Sequence, residues 1–234
     1  MFFFSELTST QVKAKEIIDE GFDQKNSLVF TEKQTMGQTR KNGISWKEGN
    51  GNFYCTYILK IPSNMPNFIA QFSCALSTIY ELKKLVNLDF QIKWPNDIML
   101  NDKKLSGSLP ESYKGYFLFG IGINTKSNPN ISCKINQSAS ISIYEVEKNK
   151  IIDNKKLAIS LLDNFINSIT SLEYKGDYDT LIKEYKKNTW KLNQEIYLTV
   201  VNKRVILKDI TSDGCLVYED QGKTAVITTS EIFL

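Results

Sequence analysis

The segment of residues 91–109 places the strongest constraint on the fold of this chain. Its first residues alternate between apolar and polar, which is typical of a half-buried strand. A Trp-Pro-Asn-Asp turn at 94–97 interrupts the pattern, because proline cannot donate to a strand ladder and Asn and Asp favour turns. An apolar strand pattern resumes at 98–100, a second polar turn follows at 101–103, and the chain returns as another strand at 104–109. The segment is therefore predicted to form a β-hairpin in which Asp97 and Lys104 stand on adjoining strands, near enough to share a site.

Two interpretations of this hairpin are open from its residues alone. A plain surface hairpin with solvated charges fits, since short motifs match by chance. In that case Asn96 and Asp97 only form the turn. Trp94 is expected in the core rather than in contact with a ligand. In the other interpretation the hairpin carries a functional site. Gly107 favours the second, because a glycine inside a strand often marks close approach by a ligand.

Composition excludes several kinds of chemistry. The chain has 234 residues, of which 41% are apolar and 24% are charged, and this suits one globular domain or one domain with a small appendage. It contains no histidine, which excludes a histidine general base, a Ser-His-Asp triad and histidine metal ligation. The formal net charge of +3 is too mild to imply a nucleic-acid partner.

Cysteine spacing and the N-terminus point to a reduced compartment. The four cysteines form no Cys-x-x-Cys pair, and this predicts buried thiols rather than zinc ligands or disulfides. The N-terminal apolar run has no basic region before it, so no signal peptide is predicted. The longest uncharged span contains two prolines and several polar amides, which makes it a poor membrane span. We therefore expect a cytoplasmic protein with no membrane association. The cysteines are Cys55, Cys74, Cys133 and Cys215.

The hydrophobic period changes near the C-terminus. Up to about Trp190, periodicity predicts helices alternating with apolar strands. From Gln194 the period becomes two, with turn signals at Asp213-Gly214 and Gln221-Gly222, which predicts a small module of short antiparallel strands. The predicted helices cover about 10–20, 66–86, 153–172 and 177–187, and the predicted strands before the module cover 27–31, 53–60 and 116–124.

A polar loop precedes the hairpin. In it Gly37 and Gly43 flank Arg40 and Lys41, so backbone N–H groups and two cations could face an anion. A solvated surface loop is the plainer interpretation. The glycine spacing fits neither a Walker A loop nor a dinucleotide-binding fingerprint.

Taken together, these motifs resemble those of the biotin protein ligases. The most specific match is Lys-Trp-Pro-Asn-Asp at 93–97 followed by Lys104-x-x-Gly107, and Gly122-Ile123-Asn124 is a good second. The resemblance covers almost the whole chain. It implies an α+β fold in which helices flank a mixed sheet, with a catalytic biotin- and ATP-binding domain at 1–189 and an SH3-like β-barrel module at 190–234. The match begins within the first ten residues, which suggests a form without the N-terminal DNA-binding domain that many members carry.

The resemblance also implies an activity. Biotin and ATP, with Mg²⁺, would give biotinyl-5′-AMP and pyrophosphate, and a lysine of a biotin carboxyl carrier protein would then attack the adenylate. Neither step requires a histidine. No nucleic-acid partner is implied, and a homodimer is a mild preference.

Roles of individual residues follow from the resemblance alone. The catalytic residues would be Lys104, Arg40 and Asp97. Those that contact biotin would be Ser9, Thr10, Gln11, Gln34, Gly37, Gln38, Thr39, Arg40, Lys104 and Gly107. Those that contact ATP would be Arg40, Lys41, Asn96, Lys104 and Asn124. Asn52 and Tyr54 resemble a pair of residues that line the substrate site in the family.

The chain departs from the family pattern at two places. Gln11 stands where asparagine is usual, and Gly-Gln-Thr-Arg at 37–40 replaces Gly-Arg-Gly-Arg, so one cation and one glycine are lost. Three alternatives follow: a lipoate or octanoate ligase or transferase of the same superfamily, a non-catalytic protein that binds biotin or a nucleotide, and nucleic-acid binding through the C-terminal module. That module mixes its basic residues with acids, so no basic face is expected.

Overall fold

The computed structural model describes residues 1–23, 25–39, 46, 49, 51–128, 140–148 and 150–228. Within these residues the chain forms a seven-stranded sheet, a four-stranded sheet and five helices. The large sheet consists of β1 (Phe2–Phe4), β2 (Ser27–Thr31), β3 (Phe53–Leu59), β4 (Gln91–Lys93), β5 (Asp97–Leu100), β6 (Lys103–Tyr113) and β7 (Tyr116–Ile123). The small sheet consists of β8 (Glu195–Leu198), β9 (Lys203–Ile210), β10 (Leu216–Asp220) and β11 (Lys223–Ile227). The helices are α1 (Thr10–Asp19), α2 (Asn67–Leu85), α3 (Ile143–Val146), α4 (Asn154–Lys175) and α5 (Tyr178–Lys187).

The large sheet is mixed, with strand order β1-β2-β3-β7-β6-β5-β4. Only the pair β1 and β2 is parallel among its described pairings. The small sheet is antiparallel with order β11-β10-β9-β8. Helices cover both faces of the large sheet. The predicted fold class is therefore confirmed: a mixed sheet flanked by helices and followed by a small all-β module.

Alternation along the strands separates two cores. Leu28 and Phe30 of β2 face the large core, to which α2, α4 and α5 contribute. Val29, between them, faces the opposite side, where it packs with Ile58 of β3 and Ala14 of α1 in a smaller cluster. Since successive side chains of a strand point to opposite faces, this alternation shows that α1 covers one face and the other long helices cover the other.

Helix boundaries agree with their sequence signals. Ser9 caps α1 by accepting a hydrogen bond from the backbone N–H of Val12, and Asp153 and Asp177 cap α4 and α5 in the same way. The helix α4 ends at Gly176, which has a φ of 63°. A glycine adopts this left-handed conformation without steric cost.

The strands differ from expectation in three places. No structure was expected at the N-terminus, where β1 pairs with β2. The strand β6 runs on to Tyr113, past the expected end of the hairpin at 109. In the small sheet, the alternating pattern of residues 196–201 predicts one continuous strand, but β8 ends at Leu198, because residues 199–202 turn and Asn202 takes a φ of 54°.

The two sheets meet at the hairpin of β4, β5 and β6. Trp94 is buried, and its indole N–H donates at 3.0 Å to the carbonyl of Gly214, in the connection between β9 and β10 of the small sheet. The segment before β8 pairs with the outer edge of β4, since the N–H of Trp190 donates to the carbonyl of Ile92 at 2.8 Å. The Trp190 indole also donates to Asp102 in the second hairpin turn. The core position expected for Trp94 is confirmed, and the domain boundary at residue 190 stays a prediction.

Three of the four cysteines lie in the described part of the chain. Cys55, Cys74 and Cys215 are buried and form no disulfide, while Cys133 lies outside the described residues. Burial raises the pKa of the Cys55 and Cys74 thiols well above the ordinary value. A thiol that stays protonated is a poor nucleophile, so neither is suited to covalent catalysis. No helix among the described residues has the length and apolar content to cross a membrane.

Candidate active site

One row of paired residues crosses the large sheet from β5 to β3. Asp97 pairs with Gly107, Gly107 with Gly122, and Gly122 with Tyr54. Directly paired residues project from the same face. Tyr54 shares the alternation of Ile58, so this face is the one that α1 covers farther along. The two glycines leave the sheet without side chains at the middle of the row.

Lys104 lies at one end of this row. Its ammonium contacts the Asp97 carboxylate at 2.8 Å, and the two side chains are 31% and 15% exposed. A register shift between Ile98 and Met99 places Lys104 opposite Met99 rather than in simple continuation of the row. A Cβ on Gly107 would come within 3.0 Å of the Lys104 ammonium. The expectation that Asp97 and Lys104 meet on adjoining strands is confirmed.

Trp46 covers the glycine row. A Cβ on Gly107 would come within 2.8 Å of its indole ring, and one on Gly122 within 3.0 Å. The Lys104 ammonium lies 5.4 Å from the centre of the same ring. The backbone N–H of Trp46 donates to the carbonyl of Gly37 at 2.7 Å, and this bond helps to fix the position of Trp46. Gly107 thus allows close approach, and the groups that use the space in this structure are Trp46 and Lys104.

Four buried polar residues form a hydrogen-bonded network beside the N-terminus of α1. Gln34 Oε1 accepts the backbone N–H of Thr10 at 2.9 Å and lies 3.3 Å from its hydroxyl oxygen. The Thr56 hydroxyl lies 3.0 Å from the Thr10 hydroxyl and 3.1 Å from Gln11 Oε1. A backbone N–H can only donate, so the Gln34 amide has a fixed orientation with its donor Nε2 turned toward Gly37.

The far end of this network reaches the surface at Glu111. Gln11 Nε2 donates to Glu111 Oε2 at 3.2 Å, and Lys15 pairs with Glu111 Oε1 at 2.7 Å. Gly120 makes room for the long Gln11 side chain, because a Cβ there would come within 2.5 Å of Gln11 Oε1. The departure from asparagine at position 11 therefore has local support from Gly120 and Glu111.

Two buried asparagines hold the loop after β7. Asn52 Oδ1 accepts the backbone N–H groups of Lys126 and Ser127, and its Nδ2 donates to the carbonyl of Ser127. Asn124 Nδ2 donates to the carbonyl of Ile141, and its Oδ1 lies 3.5 Å from Asn52 Nδ2. Both amides bond to the protein itself, which is a structural role. Contact of Asn124 with ATP stays a prediction.

The remaining predicted residues are only partly brought together. Asn96 is buried in the hairpin, where its Nδ2 donates to the carbonyl of Ser108, which fits a turn former; its contact with ATP stays a prediction. Gln38 is exposed and Thr39 is half-buried. Arg40 and Lys41 lie outside the described residues.

Three residues of this region were missed by the sequence analysis. Trp46 is an isolated aromatic residue in a polar loop, and that contrast was an available signal. Thr56 is the lone aliphatic hydroxyl of an otherwise apolar strand, which was a weaker signal. Glu111 gave none, because only the pairing of β6 with β7 brings it toward α1. Among the described residues, no group of three or more His, Cys, Asp or Glu side chains could hold a metal ion.

Comparison with known proteins agrees with this geometry. The model of the biotin/lipoate A/B protein ligase family matches residues 3–128, which is more than half of the chain. The chain belongs to this family. A bifunctional ligase/repressor BirA of Bacillus subtilis strain 168 is 31% identical over 139 residues, which cover 56% of this chain and 42% of that protein. The match thus spans less than half the length of this relative.

Solved structures share the fold over nearly the whole chain. The biotin protein ligase of Aquifex aeolicus, determined in complex with biotin and ATP, superposes with a TM-score of 0.79 at 21% identity, covering 98% of this chain and 96% of the other. The biotin protein ligase of Leishmania major in complex with biotin gives a TM-score of 0.70 at 21% identity, with coverage of 97% and 98%. At this identity the likeness establishes the fold.

The structural role of Asn52 can be tested by Asn52→Ala. We expect the free energy of unfolding to fall by about 2 kcal/mol, because the change removes the acceptor of two backbone N–H groups and the donor to one carbonyl in a partly buried loop. Urea denaturation measures the change. Asn67→Ala is the control, since its exposed amide makes one weak hydrogen bond at 3.4 Å. Equal effects of the two substitutions would contradict the role.

Proposed function

We propose that this protein is a biotin protein ligase that activates biotin with ATP and transfers it to a lysine of a biotin carboxyl carrier protein. The observation that carries the proposal is the Lys104 ammonium, held by Asp97 beside the glycine row of β6 and β7. The buried network at Thr10 and Gln34 lies on the same face of the sheet. A cation and a buried polar network on one face suit a ligand with a charged end and a hydrogen-bonding head.

In the first step an oxygen of the biotin carboxylate attacks the α-phosphorus of ATP. The bond from that phosphorus to the bridging oxygen breaks, so pyrophosphate leaves and biotinyl-5′-AMP forms. Negative charge builds on the α-phosphate oxygens as the new bond forms. Lys104 supplies a fixed cation there, and Asp97 orients it, which lowers the barrier electrostatically. Holding two anionic reactants together contributes the rest.

In the second step the amine of the carrier lysine attacks the acyl carbon of the adenylate. An amide bond forms, the bond from that carbon to the phosphate oxygen breaks, and AMP leaves. The attacking amine loses a proton to water. Asp97 lies near this site, and we assign it the orientation of the incoming lysine as well as that of Lys104.

The polarity of the buried network favours biotin over lipoate. The Thr10 hydroxyl donates to Gln34 Oε1 at 3.3 Å. Thr10 can therefore offer its lone pairs to a ligand, while Gln34 offers the N–H donors of its Nε2. An acceptor beside a donor complements a ureido ring, which has N–H and C=O groups side by side. The dithiolane of lipoate and the chain of octanoate would leave these buried groups without partners, at a cost of about 1–3 kcal/mol each.

The loop at 37–41 is assigned to cover the adenylate. Arg40 is the first choice for the phosphate contact, and Lys41 partly replaces the cation lost at Gln38. Both assignments rest on the family resemblance. Magnesium would enter as its complex with ATP, because Mg²⁺ favours phosphate oxygens and water over an all-protein cage. No step is assigned to a resident metal, since the described residues offer no cluster for one.

We place this activity in the cytoplasm. Buried thiols suit the reducing cytoplasm, and biotin carboxyl carrier domains would be the protein partner. A homodimer stays a prediction.

The experiment that tests the proposal measures pyrophosphate release with ATP and one of three acids: biotin, lipoate or octanoate. Release with biotin, followed by transfer to a biotin carboxyl carrier domain, is the expected result. Release with lipoate or octanoate but not biotin would identify the related ligase activity instead. Binding of biotin without any release would identify a non-catalytic binding protein.

Lys104→Ala should lower adenylate formation by about a hundredfold or more, because it removes the cation at the developing charge. The fold should survive, since a partly exposed ion pair contributes about 0–1 kcal/mol. Lys103→Ala is the matched control on the exposed side of the same strand. Full adenylation activity of Lys104→Ala, measured by biotin-dependent pyrophosphate release, would place the site elsewhere.

Arg40→Ala should release biotinyl-5′-AMP into solution, because the covering loop loses its main phosphate contact. Rapid gel filtration after a single turnover separates free from bound adenylate. The chain has one other arginine, Arg204, which is exposed and pairs with Glu195 in the small sheet. Arg204→Ala is therefore the control. Retention of the adenylate by both variants would remove the covering role.

A further inference from the structure

We infer that Glu111 is a positioning residue that acts through Gln11 to keep the lone pairs of Thr10, in the buried polar network, open to a ligand. This inference rests on the proposed function and names a determinant of its specificity. Glu111 stands on β6 near the surface and pairs with Lys15 of α1. It contacts the pocket only through the Gln11 amide among the contacts of the described residues.

Glu111 fixes the orientation of the Gln11 amide. Glu111 in its ionised form, paired with Lys15 at 2.7 Å, can only accept hydrogen bonds. The end of Gln11 that lies 3.2 Å from it must therefore be the donor Nε2. The acceptor Oε1 is then turned inward to Thr56, at 3.1 Å. A flipped amide would set Oε1 against the carboxylate, which places two acceptors in contact.

The orientation of Gln11 decides where the Thr56 hydroxyl hydrogen goes. That single hydrogen has two acceptors, Gln11 Oε1 at 3.1 Å and the Thr10 oxygen at 3.0 Å. With Oε1 turned inward, Gln11 takes it. The Thr10 hydroxyl donates to Gln34 Oε1 at 3.3 Å, so the lone pairs of Thr10 are left for a ligand. With Gln11 flipped, Thr56 would donate to Thr10 and occupy one of these lone pairs, so Thr10 would have one acceptor position fewer for a ligand.

The space around Gln11 limits its movement. Gln11 is buried, with 3% of its surface exposed, and its Oε1 fills the space left by the missing side chain of Gly120. The amide group therefore has little freedom to move along the sheet. Its remaining freedom is a rotation that exchanges Oε1 and Nε2. Among its hydrogen-bond partners in the described part of the chain, Thr56 can donate or accept, so the charge of Glu111 distinguishes the two states. The orientation of Gln11, the residue that stands where asparagine is usual, thus depends on an acidic residue a hundred positions later in the sequence.

The test replaces Glu111 by glutamine, which keeps its size but can donate to a flipped Gln11. We expect the dissociation constant for biotin, measured by isothermal titration calorimetry, to rise roughly five- to tenfold, the size expected for about one hydrogen bond. The KM for biotin should rise similarly. The KM for ATP, the kcat and the melting temperature should stay unchanged. A loss of stability or an equal loss for both substrates would indicate a merely structural role and overturn the inference.

Glu16→Gln is the matched control. It removes the same charge from an exposed ion pair with Lys13 on α1 and contacts no member of the network. A second comparison places Glu111→Gln in a Gln11→Ala background, where it should have no further effect on biotin affinity because Glu111 acts through Gln11. An effect of the same size in both backgrounds would overturn the inference. Unchanged affinity of Glu111→Gln would do so while leaving the proposed function intact, whereas a native protein that binds no biotin would remove both.

Discussion

The register of the β5–β6–β7 pairing is the constraint on which the candidate site depends. Because side chains alternate along a strand, a slip of one residue would move each of them to the other face of the sheet. The observed register sets Asp97, Gly107 and Gly122 side by side. The small sheet helps to fix it, since Trp94 and Trp190 tie the hairpin to elements at the C-terminus. The position of the Lys104 cation is therefore a property of both sheets.

The charged and uncharged parts of the site differ in what they contribute. The Lys104–Asp97 pair is partly exposed, so it contributes about 0–1 kcal/mol to stability. Its main contribution is to fix the position of the Lys104 cation in the site. The network of Thr10, Gln11, Gln34 and Thr56 is buried. There an unmatched donor or acceptor costs more than in water. Selectivity for the head of a ligand is thus expected from the buried end, and rate acceleration from the charged end.

Sequence reasoning succeeded where the signals are local. The hairpin, the capped helices and the meeting of Asp97 with Lys104 depend on turn residues and periodicity within short segments. It failed where the partner is distant. The strand β1 is only three residues long and forms by pairing with β2, and Glu111 meets Gln11 across a hundred positions. Trp46 is positioned by Gly37 and by glycines of two strands, so its place could not be read from the loop.

The glycines beneath Trp46 limit how this site can change. Any side chain added at Gly107 or Gly122 would collide with the indole ring before it could meet a ligand. Single substitutions at these two sheet positions are therefore disfavoured, whereas residues of the covering loop can change one at a time. Among chains built on this sheet, differences in ligand preference would accordingly arise from residues in loops and at helix ends, while the glycines of the sheet stay unchanged.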